Sequence, residues 1–135
     1  MMPDRWALLG ITAVVLMSVC LAWAPVDIPV IDDWTYAWSV EHFLQTGALR
    51  MLEWSAHYPL AQILWGALFS QLFGFSFVVL RIATLVLAWA GLLAWYGMLR
   101  ELETGPLVAL LGTLMLWCNP VFFQLSLVHN RCPLY

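Results

Sequence analysis

The chain has 135 residues, of which 64% are hydrophobic and 10% charged, with nine tryptophans and no lysine. Soluble domains carry about 25% charged residues, so this chain has too little polar surface to cover a soluble globule, and lipid is its expected solvent. Five arginines against eight acids leave a net charge of −3 without a basic patch, which argues against nucleic acid as a partner.

The first apolar run, 6–24, carries no charge. Its length of about 28 Å matches a bilayer core of about 30 Å. Ala22-Trp23-Ala24 has the form of a signal-peptidase site, so a cleaved leader is the competing reading. The run exceeds a usual leader core and further membrane-length segments follow, which favours an uncleaved first span. Arg5 puts the N-terminus on the cytoplasmic side.

Residues 25–58 hold five of the eight acids, Asp27, Asp32, Asp33, Glu41 and Glu53, with Arg50 as their only arginine. Few positive charges assign this loop to the non-cytoplasmic side. Pro25 and Pro29 end the first helix. Asp32 or Asp33 can cap a second one, because a carboxylate accepts hydrogen bonds from the first-turn N–H groups. Tyr36, Val40, Phe43 and Leu44 follow at helical spacing and Gly47 is a stop, so 33–46 reads as an amphipathic helix on the membrane surface.

The apolar run 59–73 reaches only about 22 Å and carries Gln62, Ser70 and Gln71, which fits an interfacial or re-entrant helix. Residues 77–99 form a second span. The polar break from Arg100 to Gly105 precedes a third at 106–128, with Pro106 in its first turn. Arginine counting leaves the topology tied between 59–73 staying outside and crossing. Cys20 and Cys118 lie in apolar runs and read as buried small hydrophobes, and Cys132 completes a set without zinc or disulfide spacing. The fold class is therefore all-α integral membrane, in one multi-pass domain.

Chemistry concentrates at the outer membrane edge. Successive helical residues point about 100° apart, so one carboxylate of Asp32-Asp33 can cap the helix while the other serves as general base. A plain helix cap on a solvated loop is the alternative. His57 can bond a phosphate or orient a carboxylate, and Tyr58 reads as an interfacial anchor. Arg81, one turn into the second span, either pairs with a lipid-linked phosphate or snorkels to the interface. Asp27, Asp32, Asp33 and His57 offer oxygen and nitrogen ligands without a recognisable metal spacing, so no cofactor is assigned and a divalent metal stays open.

In order, the chain presents a first span, Asp32-Asp33-Trp34-Thr35-Tyr36, Gly47, His57-Tyr58-Pro59-Leu60, Leu68 to Gly74, Arg81, and Asn119-Pro120-Val121-Phe122-Phe123. This set over roughly 6–127 resembles the N-terminal portion of the C-type-fold membrane glycosyltransferases. The most similar group is the dolichyl-phosphate-mannose-protein mannosyltransferase-like one, glycosyltransferase family 39. The resemblance implies transfer of a sugar from a polyprenyl-phosphate donor to an acceptor hydroxyl, with inversion, on the non-cytoplasmic face of the cell (inner) membrane. It implies Asp32 or Asp33 as general base, with Tyr36, His57 and Arg81 as substrate-binding residues. It also leaves 59–73 outside, giving about three spans, a surface helix and an interfacial helix.

Two departures qualify the resemblance. Family members carry a further acid just beyond the NPVFF-like stretch, where this chain reads Leu127 to Pro133 without one, and they continue through many more spans than 135 residues allow. The expectation is an incomplete enzyme, inactive alone. The alternative is a small non-enzymatic membrane protein, a subunit or scaffold, for which the small residues Ala83, Ala88, Ala90, Gly91, Ala94 and Gly97 would supply helix contacts. A transporter is weaker, because the later spans hold no ionisable group besides Arg81.

Overall fold

The computed structural model describes residues 5–22, 33–50 and 60–127, and the side chains of Asp33, Gln124 and Leu127 fall outside that description. Every regular element among the described residues is an α-helix: α1 (Arg5–Ala22), α2 (Asp33–Thr46), α3 (Leu60–Phe73), α4 (Phe77–Glu101), α5 (Pro106–Trp117) and α6 (Pro120–Leu127). Two of them, α1 and α4, are long and apolar enough to cross a membrane. At about 1.5 Å per residue they measure roughly 27 and 37 Å, whereas α3 and α5 reach only about 21 and 18 Å.

Local chemistry accounts for the ends. Gly47 (φ 69°) terminates α2 in the left-handed conformation and returns its N–H to the Phe43 carbonyl at 2.8 Å, the simple αL stop that glycine makes at little steric cost. Gly74, also left-handed at φ 85°, directly follows α3. Two residues on, Ser76 caps α4, its Oγ accepting from the N–H groups of Val78 and Val79 at 3.1 and 3.3 Å. At the far end of α4, Glu103 donates to the Arg100 carbonyl and Thr104 to that of Leu99. These paired bonds make a Schellman stop with a glutamate, at φ 59°, in the position glycine usually fills.

The helix expected over 106–128 is two helices. Pro120 has no N–H to give the Leu116 carbonyl, and it disfavours the α conformation at Asn119. Asn119 instead donates its own N–H to Leu116 and starts α6, its Oδ1 accepting from Val121 and Phe122 at 3.0 and 3.3 Å. The NPVFF stretch is thus a helix start with Asn as cap and Pro in the first turn. No single helix here is long enough to make the expected third span.

The chain divides into two compact units, with α4 contributing to both. One is Pro25–Thr84; the other combines Met1–Ala24 with Leu85–Tyr135. In the second unit Ala7, Ile11 and Val15 form the buried stripe of α1, in one core cluster with Leu92, Tyr96, Ala109 and Trp117. Two indoles tie that core together. Trp89 donates Nε1–H to Thr12 Oγ1 at 3.1 Å and Trp117 donates to Ser18 Oγ at 3.0 Å. Trp117 also meets Phe122 and Phe123 edge-on, which holds α6 against the end of α5. Cys20 and Cys118, expected as buried small hydrophobes, are free thiols and exposed. Cys20 shares the outward side of α1 with Leu16, Met17 and Leu21 rather than its packed stripe, and Cys118 sits at the C-cap of α5. Cys132 lies outside the described residues.

Candidate functional site

The unit Pro25–Thr84 contains every residue singled out for chemistry. Its helix α2 opens at Asp33, the end of a helix where first-turn N–H groups and the helix dipole favour a negative charge. Asp32 and His57 lie outside the described residues, as do Asp27 and Tyr58.

Helix α2 uses its apolar face within the protein. Ala37 and Val40 are buried in one cluster with Ile63 and Ala67 of α3 and Leu80 of α4, with Tyr36, Phe43, Leu44 and Phe77 packed around it. Of the apolar stripe read from the sequence, Val40 is thus buried against α3 while Tyr36, Phe43 and Leu44 are partly buried beside it. The opposite face carries Trp34, Trp38, Glu41, His42 and Gln45. Trp38 and His42 stack there at 5.1 Å between ring centroids and 9° between planes, and Gln45 donates to the Glu41 carboxylate.

Tyr36 joins the start of α2 to the start of α3. Its hydroxyl donates to the Gln62 carbonyl at 2.7 Å. That carbonyl belongs to the first turn of α3, where the helical ladder pairs it with the N–H of Gly66. A helical side chain leans back over the preceding turn, so any side chain at position 66 would cover the oxygen that Tyr36 reaches. A Cβ built on Gly66 overlaps Tyr36 Oη and stands 3.1 Å from Tyr36 Cζ and 3.0 Å from Leu80 Cδ2. Gly66 is thus the residue that lets the phenol in. The sequence reading passed over it, although a lone glycine inside an apolar helical run is a signal of close approach, since it weakens the helix by about 1 kcal/mol.

Helix α4 is held against α3 by Trp65, whose Nε1–H donates to the Ala83 carbonyl at 2.8 Å. Arg81 lies in the second turn of α4 and is 8% exposed, between the buried Leu80 and the exposed Ile82. A guanidinium enclosed to this degree needs hydrogen-bonding or charged partners. Ser70 of α3 is also buried, and its Oγ has no hydrogen-bond partner among the described residues. Also among the described residues, no three of His, Cys, Asp and Glu gather into a group able to hold a metal.

The structure thus brings Tyr36 and Arg81 into one packed unit with the helix that Asp33 opens. Compared with known family models, curated proteins and solved structures, the chain matches none.

Proposed function

We propose that this chain is the N-terminal membrane portion of an inverting glycosyltransferase of the C-type, family 39-like kind, using a polyprenyl-phosphate sugar donor. In this reading α1 and α4 cross the cell (inner) membrane, and α5 and α6 together make a third crossing broken at Asn119-Pro120. The apolar windows of α1 and α4 are only 17% and 22% buried within the protein, which supports lipid as their surroundings rather than a protein core. Residues 25–76 then lie on the non-cytoplasmic face, with Arg5 and Arg100 on the cytoplasmic one.

The observation that carries the reading is the α2–α3 pair. Helix α3 is too short to cross a bilayer, and it packs against the helix that opens at Asp33. That supports an interfacial helix beside the catalytic acid, the arrangement the resemblance calls for.

In the reaction, Asp32 or Asp33 takes the proton of the acceptor hydroxyl as its oxygen attacks the anomeric carbon. A new C–O bond forms opposite the bond to phosphate. That older bond breaks, and its electron pair leaves on the polyprenyl phosphate. Arg81 and His57 stabilise the departing phosphate charge.

The test is to incubate membranes containing the complete gene product with a set of radiolabelled polyprenyl-phosphate sugars. Release of polyprenyl phosphate coupled to label on an acceptor supports the reading. Absence of transfer from every donor counts against it.

A second reading, a non-enzymatic subunit, rests on the exposed small residues Ala90, Gly91 and Ala94 along one side of α4, a surface suited to close helix contact. A defined complex that persists in detergent, together with no transfer activity, would favour it.

A further inference from the structure

We propose that Tyr36 and Gly66 form a lock that sets the position of the acid-bearing first turn of α2, so that Tyr36 is a positioning residue and not a substrate contact. The inference deepens the glycosyltransferase reading and rests on it for the kinetic arm of its test.

Tyr36 lies three residues after Asp33, one turn along the same helix. Its hydroxyl is already committed to the Gln62 carbonyl at 2.7 Å. A carbonyl oxygen has two lone pairs; the α3 ladder takes one, and Tyr36 takes the other. The phenol reaches that second lone pair only because position 66 has no Cβ: Tyr36 Cζ and Leu80 Cδ2 would stand 3.1 and 3.0 Å from one, and Oη would overlap it. Beside the ring, Ala37 and Val40 are buried with Ile63 and Ala67, so the turn is seated on α3 by packing and fixed in height by the directional bond from Tyr36 to Gln62. A hydroxyl held in this way has its donor spent inside the protein. What it controls is where α2 begins, and hence where the acid stands.

The test compares wild type, Tyr36→Phe, Gly66→Ala and the double variant in the complete gene product, with Gly97→Ala as a control. Gly97 has nothing within 4 Å of a built Cβ. For Tyr36→Phe, kcat and kcat/KM fall together by about three- to tenfold with the acceptor KM unchanged, the size of one lost hydrogen bond. Gly66→Ala falls at least as far, and the double variant is no worse than Gly66→Ala, since both changes open the same lock. A raised KM with kcat kept, or losses that multiply, overturns the proposal.

Hydrogen exchange supplies an arm independent of activity. Amides in the turn after Trp34 exchange faster in both single variants, whereas those before Gly47 do not. Unchanged protection in that first turn overturns the lock even if no sugar is transferred. Failure of the glycosyltransferase reading has a different mark: no transfer in wild type, or transfer kept when both aspartates are removed.

Discussion

One substitution, glycine to alanine, should have opposite signs at different helical glycines of this chain. Inside a helix the change is worth about 0.5–1 kcal/mol in favour of alanine, because glycine loses more backbone freedom on folding. At Gly97 a Cβ meets nothing within 4 Å, so Gly97→Ala should show that gain in full. At Gly112 the nearest atom is Leu99 Cδ1 at 3.3 Å, the mobile end of a side chain. The gain and the tighter contact should leave Gly112→Ala within about 0.5 kcal/mol of wild type. At Gly66 the new Cβ meets a phenol pinned by its bond to Gln62. Overpacking costs about 1–3 kcal/mol and the lost hydrogen bond about 1. Against a helix gain of at most about 1 kcal/mol, Gly66→Ala should destabilise by about 1–3 kcal/mol. Reversible unfolding in detergent or nanodiscs, followed by tryptophan fluorescence, measures all three. A Gly66→Ala protein as stable as Gly97→Ala would refute the account of how α2 and α3 meet.

Two further outcomes follow from the helix contacts. A double-mutant cycle of Trp117→Phe with Ser18→Ala should show a coupling of about 1 kcal/mol, since each change removes one end of the same bond; no coupling in unfolding experiments would mean the bond does not hold α5 to α1. Glu103→Gly should stabilise by about 1 kcal/mol by relieving the left-handed conformation after α4, and Glu103→Ala should not; equal melting temperatures for the two would contradict the Schellman stop.

What the sequence discloses here is mostly local. Gly47, Gly74, Ser76 and Pro106 punctuate the apolar runs, and helices end or begin beside each of them. Pro120 carried the same kind of information but was hidden, because apolar residues continue on both sides of it and periodicity alone does not register a lost N–H. Contacts between distant residues were not legible. Trp89 meets Thr12 across 77 residues and Trp117 meets Ser18 across 99, and nothing in either neighbourhood names its partner. The same holds at the candidate site. Tyr36 was visible as a helix-face aromatic, but the Gln62 carbonyl that engages its hydroxyl and the glycine that uncovers that carbonyl belong to another helix. The covering of α2 by α3 was missed for a related reason, since an apolar stripe does not say whether lipid or protein will meet it.

The central claim is that the acid pair at the start of α2 activates an acceptor hydroxyl, and one measurement addresses it directly. Sugar transfer from polyprenyl phosphate by membranes carrying the complete gene product is compared with that of the double variant Asp32→Asn, Asp33→Asn, matched for protein amount. Removing the general base should lower the rate by about a hundredfold or more while donor binding persists. Transfer at the wild-type rate in the double variant would contradict the account.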